Sequence, residues 1–470
     1  MQAEARVADS PEGRLPDGAL VAWYGDDFTG SAAVMEVLTF SGLPSVLFFD
    51  IPTPPQLARF GDARGIGVAS TARSHKPGWM DANLPAAFAF LHSVGAPVAH
   101  YKMCSTLDSS PEVGSIGRAI DLAAGVFGWR WVPILVAAPP MRRYQAFGNL
   151  FASGPGGVAR LDRHPVMDRH PVTPMDEADV ARHLARQTDR RFGLLSLEDL
   201  RHADLAREAL ARQVAAGTEL VPLDCADDAT LAMCGRMIWE HGSPPQFVVG
   251  SQGVEYALVR HWQDAGLLRP APMPESIGAV DRMAVVSGSV SPVTAAQIGW
   301  SEANGFAGVA FDARAVLDRG SLKGAEEQAV TAALDAIGDG RSPLVFTARG
   351  PDDPAVAALR EALNQSGMEV EAANARIGVS LGRILDGIIR RARLARAVIS
   401  GGDTSGHASR QLGIHALTAL APTIPGAAIF EAHADGEHDR LQLALKGGQM
   451  GSADYFGWVR AGGGPRTEAC

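Results

Sequence analysis

The sequence lacks the features that define several large classes of protein. None of its apolar runs approaches the roughly eighteen residues needed to cross a bilayer, so no membrane span is expected. The four cysteines contain no CxxC pair, and the polar residues 1–18 lack the apolar core of a secretion signal. A cytoplasmic protein with free thiols and no membrane partner is therefore expected.

Basic residues are also scarce. The 42 Lys and Arg against 52 Asp and Glu give a net charge of −10, and no dense basic stripe appears. Nucleic-acid binding as the main activity is therefore excluded. Hydrophobic residues at 46% and charged residues at 20% are typical of a folded chain, and 470 residues predict two or three domains. The composition is compatible with a homo-oligomer.

Glycine, in contrast, is abundant, with 52 residues, or about 11% of the chain against a usual ~7%. An excess of glycine indicates either many turns or loops in which the backbone approaches a ligand closely. Glycines clustered directly after predicted strands favour ligand-binding loops, and glycines scattered elsewhere favour turns.

Short β-rich apolar runs alternate with longer amphipathic segments along the whole chain. This alternation predicts two α/β domains with mainly parallel sheets and a cleft between them. The proline-rich segment around residues 266–280 interrupts the pattern and is interpreted as a linker. The predicted division is a disordered tail at 1–18, domains at 19–265 and 281–457, and a frayed tail at 458–470.

Two adjacent acids follow the first predicted strand, in WYGDDFTGSAA (23–33). Parallel sheets bind ligands at the carboxyl ends of their strands, where Asp26 and Asp27 would hold a polyol hydroxyl, accept its proton or help to hold a metal. The alternative is a pair of helix N-caps, but capping accounts for only one acid. A haloacid-dehalogenase phosphatase would place its two aspartates at alternating positions, and here they are adjacent.

Two further strand ends in the first domain, ASTARSH (69–75) and HYKMCSTLDSS (100–110), carry small hydroxyl residues and one cation each. Convergent polar groups at one rim suit a small polar ligand such as a sugar acid, although such loops are often only turns. The candidate substrate-binding residues of the domain are Asp26, Asp27, Ser70, Arg73, Ser74, Lys102, Asp108 and Ser109.

Two other motifs of this domain have less defined roles. RHPVMDRHPVTPM (163–175) places His164 and His170 six residues apart, and no further ligand follows at zinc spacing, so a structural or substrate-shaping role is favoured over metal binding. MRRY (141–144) places Arg142 and Arg143 at a strand end, as a solvated pair or as an anion contact. No metal ligand is assigned.

In the second domain, three glycine-rich loops follow predicted strands. VVSGSVSPVT (285–294), VISGGDTSGHAS (398–409) and LALKGGQMGS (443–452) end in small residues, and neither a Walker A loop nor a GxGxxG motif is present. Backbone N–H groups at helix starts suit phosphate oxygens, so these loops predict a nucleotide site. The candidate ATP-binding residues are Ser287, Gly288, Ser289, Ser291, Gly401, Gly402, Asp403, Thr404, Lys446, Gly447 and Gly448.

The six motifs GDDFTGS, STARSH, YKMCSTLDS, SGSVSPVT, SGGDTS and LKGGQMG, in this order over residues 20–456, resemble those of the four-carbon acid sugar kinases. HPVTPM (170–175) is similar to a segment of members that act on tetronates. The resemblance departs at 109–119, which lacks a GNIG-like run, and at 141–149, where MRRYQAFGN replaces a GRT-like stretch.

The resemblance implies a sugar-acid-binding domain followed by a nucleotide-binding domain, with ATP as cofactor. Because phosphoryl transfer requires charge neutralisation, we expect Mg²⁺ as a second cofactor that bridges the ATP phosphates. The reaction it implies is phosphorylation of the terminal hydroxyl of 3-oxotetronate, threonate or erythronate. Asp26, Asp27 and Asp403 are the candidate catalytic residues, since an aspartate would orient the acceptor hydroxyl. The alternatives are a Mg²⁺-dependent sugar phosphatase using GDDFTG and a non-catalytic sugar-acid-binding protein.

Overall fold

The computed structural model describes residues 13–154, 156–169 and 172–466, without the side chains of Arg169, Arg319 and Asp403. The chain divides into two compact units, Met1–Pro272 (unit 1) and Met273–Cys470 (unit 2). Within the described ranges, no helix is long and apolar enough to pass through a bilayer.

Unit 1 alternates strands and helices, as the sequence predicts. Its strands are β1 (Val21–Gly25), β2 (Ser45–Phe48), β3 (Gly65–Ala69), β4 (Val98–Lys102), β5 (Val132–Leu135), β6 (Arg143–Ala146), β7 (Asn149–Gly154), β8 (Gly157–Arg160), β9 (Leu220–Pro222) and β10 (Gln246–Gly250). Its helices are α1 (Phe28–Phe40), α2 (Pro54–Ala58), α3 (Pro77–Val94), α4 (Ile116–Ala123), α5 (Val180–Leu184), α6 (Ala203–Ala215), α7 (Asp228–His241) and α8 (Gly253–Asp264).

The main sheet of unit 1 has the strand order β2-β3-β1-β4-β10-β5-β9, and every pair is parallel. Its central strands are buried along their whole length, because helices cover both faces of a parallel sheet and leave no polar face. Gly25 lies level with both Ala69 and Lys102 in the register. The loops that follow β1, β3 and β4 therefore emerge at one edge.

A small antiparallel sheet, β6-β7-β8, follows β5 in unit 1. The buried Asp224 carboxylate anchors its first hairpin, accepting the backbone N–H groups of Phe147 at 2.5 Å and Gly148 at 2.9 Å. Both turn residues have positive φ, 48° and 78°, so these two bonds fix a turn that needs a stabilising partner. The sequence does not predict this sheet, because its strands are only partly buried and short.

Unit 2 repeats the α/β alternation. Its strands are β11 (Ala284–Ser287), β12 (Phe306–Ala310), β13 (Ser342–Phe346), β14 (Arg396–Ser400), β15 (Ile414–Ala421), β16 (Ile429–Ala434) and β17 (Gln442–Lys446). Its helices are α9 (Pro292–Ala303), α10 (Arg319–Gly338), α11 (Pro354–Ser366), α12 (Val370–Ala392), α13 (Gly402–Gln411) and α14 (Tyr455–Arg460).

The sheet of unit 2 has the order β12-β13-β11-β14-β17-β16-β15, parallel from β12 to β17 and antiparallel beyond. Ser287, Ser400 and Lys446 lie level at the ends of neighbouring strands. The three glycine-rich loops therefore begin at one edge of one sheet. Helix α12 buries Ile377, Leu381, Ile384 and Ile388, whose spacing of three and four residues places them on one face of the helix.

The end of the chain differs from the predicted frayed tail at 458–470. Trp458 and Val459 are buried in α14, and the guanidinium of buried Arg396 donates to the carbonyls of Val459 and Arg460 at 2.9 and 3.0 Å. The backbone then continues beside the predicted linker, where the Ile277 N–H donates to the carbonyl of Gly462. Burial of Trp458 and Val459 and the bonds from Arg396 fix this segment, although its glycines suggest a flexible end.

Candidate active site

The first polar cluster lies at the carboxyl edge of unit 1 and is built around Asp26, directly after β1. Asp26 is buried, and its two carboxylate oxygens accept from the guanidinium of Arg73, Oδ1 from Nη2 at 2.9 Å and Oδ2 from Nε at 3.3 Å. Burial raises the pKa of Asp26, while the positive charges of Arg73 and Lys102 oppose the rise.

Asp27 combines the two roles that the sequence left as alternatives. Its Oδ1 accepts the Gly30 N–H at 3.0 Å and so caps α1, and the same oxygen lies 3.0 Å from Nη2 of Arg73. Its side chain is 27% exposed, and no hydrogen bond to Oδ2 is formed by any residue within the described ranges. Asp27 is therefore fixed through one oxygen and presents the other.

Arg73 is the centre of the cluster. Besides Asp26 and Asp27, its guanidinium reaches Asp108, with Nη1 3.9 Å from Oδ2. Burial acts to lower the pKa of Arg73, but the surrounding carboxylates outweigh it and the pKa rises. Arg73, a predicted substrate-binding residue, is thus already paired with three carboxylates of the protein.

Lys102, at the end of β4, supplies the second cation. It is 1% exposed, and its amine donates to the carbonyl of Met103 at 2.8 Å. The following loop turns back on itself, since Thr106 donates to Asp108 at 2.7 Å. Cys104 lies in the same loop, where burial raises the pKa of its thiol to about 11. The thiol is therefore neutral at ordinary pH.

The serines predicted on this edge have local partners. Ser70 donates to the carbonyl of Gly25 at 2.8 Å, which ties the end of β3 to that of β1. Ser109 is buried against α5, within hydrogen-bonding distance of His183 and Gln187 at 3.0 Å each. Ser74 lies on the surface. The cluster therefore consists of Asp26, Asp27, Arg73, Lys102 and Asp108, and Ser70 and Ser109 hold its loops.

The histidine motif has a structural role in the part of the chain that is described. Nδ1 of buried His164 accepts the N–H groups of Val166 and Met167 at 3.2 and 3.4 Å, so Nε2 carries the proton and donates to the carbonyl of Ser153 at 3.2 Å. His170 lies outside the described residues. Elsewhere in the described ranges no three His, Cys, Asp or Glu side chains are grouped to hold a metal.

In unit 2, the loop after β11 is bonded to the loop after β17. Ser291 caps α9 by accepting the N–H of Thr294 at 3.0 Å, and its hydroxyl donates to the carbonyl of Gly448 at 2.5 Å. Thr294 donates to the same carbonyl at 3.0 Å. These bonds therefore hold the two loops together at the N-terminus of α9.

Three glycines allow these loops to approach one another. A Cβ at Gly448 would overlap the hydroxyl of Ser289, and one at Gly288 would overlap that of Thr404. Gly401 has φ +125°, in the region that favours glycine, and its N–H donates to the carbonyl of Lys446 at 2.8 Å. At these positions the glycine excess of the sequence reflects close packing of the loop backbone against the hydroxyl side chains of neighbouring loops.

Lys446 is fully buried at the end of β17. Its amine donates to the carbonyls of Gly447 at 2.8 Å and Met450 at 3.2 Å, so it shapes the loop from within. Burial lowers the pKa of this amine to about 8.

A cavity of about 410 Å³ lies in front of these loops, within unit 2. One side is polar and is formed by the predicted loop residues Gly288, Ser289, Gly401, Gly402, Thr404 and Gly448. The other side comes from α11 and α12 and is mainly apolar, with Arg360 and Asn374 beside Val356, Leu359, Leu363, Val370 and Ile377. A polar half of loop backbone beside an apolar half suits a nucleotide, phosphates on one side and base on the other.

The sequence did not predict the apolar side. Helix α11 buries none of its residues, so its leucines face the cavity instead of the core. An amphipathic pattern alone cannot distinguish these two environments. The other predicted residues, Ser287, Ser291, Lys446 and Gly447, support the loops without lining the cavity, and the backbone of Asp403 lies in the first turn of α13.

Comparison with known proteins agrees with this division of the chain. Residues 21–258 match the family model of a sugar-binding N-terminal domain, and residues 284–456 match that of a nucleotide-binding C-terminal domain. A Paraburkholderia graminis protein named 3-oxo-isoapionate kinase is 46% identical over 448 residues, which cover 95% of each chain. The chain belongs to the four-carbon acid sugar kinase family. It is a sugar-acid kinase, so the phosphatase and the non-catalytic alternatives are set aside.

More distant relatives have the same architecture. A Cupriavidus necator protein named 3-oxo-tetronate kinase is 29% identical over 450 residues, covering 94% of this chain and 97% of its own. A solved Salmonella typhimurium structure is 24% identical with a TM-score of 0.74, covering 94% and 98% of the two chains. A solved Haemophilus influenzae protein of the DUF1537 family is 22% identical with a TM-score of 0.68, covering 93% and 99%. These two structures confirm the predicted α/β fold.

Proposed function

We propose that this kinase transfers the terminal phosphoryl group of ATP to the terminal hydroxyl of a 3-oxo sugar acid, with 3-oxo-isoapionate as its preferred acceptor. The observation that carries the choice of acid is the difference in similarity. The relative named for 3-oxo-isoapionate is 46% identical, whereas those named for 3-oxo-tetronate are 28–29% identical. Threonate and erythronate, which the sequence also suggested, are weaker candidates, because the names of these relatives specify a 3-oxo acid.

For ATP, the support is the cavity of unit 2. Gly401, Gly402 and Thr404, at the N-terminus of α13, line its polar half, where N–H groups and the helix dipole favour phosphate oxygens. The apolar half would cover the adenine base. The open cavity volume of about 410 Å³ is within the usual range for a small-molecule site.

For Mg²⁺, the donor set is consistent with an ion held mainly by phosphate. Mg²⁺ in kinases commonly binds the nucleotide phosphates with one or two carboxylates, and no dedicated protein cage is needed. Within the described ranges there is no such cage, and the backbone of Asp403 starts the helix beside the phosphate loops. When bound, Mg²⁺ would neutralise charge on the transferred phosphoryl group.

For the acid, the cluster of unit 1 is the proposed site, with Asp27 as the residue that accepts the proton of the acceptor hydroxyl. Asp26 has both oxygens bonded to Arg73, so it is poorly placed to take a proton. Asp27 has one oxygen fixed by Gly30 and Arg73, and it is the more exposed of the two acids. The positive charges of Lys102 and Arg73 would stabilise the negative charge of the cluster while the acceptor hydroxyl loses its proton.

The test is ADP release with purified enzyme and four acids, 3-oxo-isoapionate, 3-oxo-tetronate, threonate and erythronate, each at several concentrations. We expect kcat/KM for 3-oxo-isoapionate to exceed that for 3-oxo-tetronate by about tenfold or more, which is about 1.4 kcal/mol of discrimination. A higher kcat/KM for threonate or erythronate would contradict the choice of a 3-oxo acid. A reversed order of the two 3-oxo acids would contradict the choice of 3-oxo-isoapionate alone.

A further inference from the structure

Arg143 is an unusual cation at the carboxyl edge of unit 1. It starts β6, just after the short turn Pro139–Met141 that follows β5. Its Nη1 donates to neutral acceptors only, the hydroxyl of Ser153 at 3.0 Å and the carbonyls of Ser153, Met141 and Arg142 at 3.4 Å. Its Nε is buried, and no residue in the described ranges accepts its hydrogen.

No carboxylate of the described residues lies within ion-pair distance of Arg143, in contrast to Arg73 with its three. Burial lowers the pKa of Arg143, the effect expected for a positive charge that has lost water without gaining an anion. The neighbouring Arg142 adds to the lowering of this pKa, and the Asp108 carboxylate opposes it, so the guanidinium lies close to the loop after β4, which carries part of the candidate site.

The charge balance of that site explains why a further cation is needed. The cluster holds three carboxylates, Asp26, Asp27 and Asp108, against two cations, Arg73 and Lys102. A substrate that brings its own carboxylate would add another negative charge to an already acidic cluster. A buried carboxylate needs a partner with hydrogen-bond donors, and the guanidinium of Arg143 provides them in a fixed orientation, because Ser153 holds Nη1 while Nη2 makes no bond to a described residue.

We propose that Arg143 binds the carboxylate of the sugar-acid substrate, an inference that rests on the proposed function. Arg73 then has a different task, because it holds Asp26 and Asp27 in position. The sequence left Arg143 open, as either a solvated charge or an anion contact, and its partial burial and its bond to Ser153 favour the second interpretation.

If Arg143 binds the substrate carboxylate, His164 of the histidine motif has a role in positioning it. His164 donates through Nε2 to the carbonyl of Ser153, and the hydroxyl and carbonyl of Ser153 accept from Nη1 of Arg143. A Cβ at Gly154 would overlap the ring of His164, so the strand and the histidine are in close contact. His164 and Ser153 are therefore positioning residues, and they direct the guanidinium without touching the acid themselves.

The experiment compares Arg143→Met with Arg142→Met, the same change at the neighbouring arginine, which is exposed and has no ion-pair partner among the described residues. Truncating one partner of a buried charge pair usually costs 2–5 kcal/mol, or about 30-fold to 4,000-fold. We expect Arg143→Met to raise the KM for the acid by at least about 30-fold and to leave the KM for ATP within about twofold. Arg142→Met should change neither constant by more than about twofold.

Two further variants keep the inference testable if Arg143→Met folds poorly. Arg143→Lys retains the charge but loses the planar fork, and it should give an intermediate KM for the acid. Ser153→Ala removes the 3.0 Å bond and should raise the same constant by about tenfold, with an unchanged KM for ATP. Unfolding temperatures near that of the wild type would show that each variant is folded.

The outcomes separate this inference from the proposed function. If the wild type phosphorylates the acid and Arg143→Met has an unchanged KM for it, the assignment of Arg143 is wrong and the kinase reaction stands. If the KM for ATP rises instead, Arg143 binds a phosphate and not the substrate carboxylate. If the wild type uses none of the four acids, the proposed substrate class is wrong before Arg143 is considered. Titration calorimetry with the acid, without ATP, compares the dissociation constants of the wild type and Arg143→Met independently of turnover.

Discussion

Gly402→Ala is the substitution that tests the nucleotide cavity with least disturbance of the protein. Gly402 begins α13 at the polar end of the cavity, and a Cβ built there meets no protein atom within 4 Å. Its backbone also needs no positive φ. Alanine is favoured over glycine in a helix by up to about 1 kcal/mol, so the unfolding free energy is expected to stay the same or to rise slightly.

Nucleotide affinity should change in the opposite direction. If phosphate oxygens lie against the backbone at Gly402, the new methyl group displaces them and removes at least one hydrogen bond to a charged group, worth about 1.5–3 kcal/mol. The dissociation constant for ADP, measured by titration calorimetry, should therefore rise by about 10- to 150-fold. Thermal unfolding without nucleotide is the control. Wild-type ADP affinity in a folded Gly402→Ala enzyme would refute the placement of the phosphates.

Three further predictions concern the loops and the acid. Gly448→Ala drives a Cβ into Ser289 and should weaken ADP binding about tenfold and lower the unfolding temperature, whereas Gly299→Ala, with no atom within 4 Å, should do neither. Because the Lys446 amine has a pKa of about 8, it is charged below that pH and neutral above it, so kcat/KM for ATP should fall as the pH rises past 8. Lys446→Met should abolish this pH dependence of kcat/KM. A Lys446→Met enzyme with the pH profile of the wild type would contradict the role of Lys446. Asp27→Asn should lower kcat by at least about 100-fold, and retained turnover would remove Asp27 as the base.

The sequence predicted the parts of this molecule that depend on local pattern. Buried parallel strands are continuous apolar runs, and the small residues that follow them mark the edge where ligands bind. For this reason Asp26, Arg73 and Lys102 could be predicted at one edge of one sheet, and the register places them there. The two-domain α/β class followed from the same alternation of strands and helices.

What the sequence could not predict depends on contacts between distant segments. Leu359 and Leu363 have the spacing of any amphipathic helix, and only the tertiary structure shows that they face a cavity. Whether Arg143 is solvated or held in place depends on Ser153, in the neighbouring strand of the small sheet. Similarly, the glycines at 462–464 suggest a flexible end, yet Gly462 and Gly464 pack beside Ser276 and Gly463 packs beside Pro422, because buried Arg396 holds the preceding carbonyls.

The central claim is that a 3-oxo sugar acid receives the terminal phosphoryl group of ATP. Phosphorus NMR of a reaction containing the enzyme, ATP, Mg²⁺ and 3-oxo-isoapionate tests it most directly. The account predicts one new phosphate-ester signal for each ADP formed, and no inorganic phosphate beyond that of a control without enzyme. ADP with an equal amount of inorganic phosphate and no ester signal would contradict it, because the enzyme would then transfer the group to water.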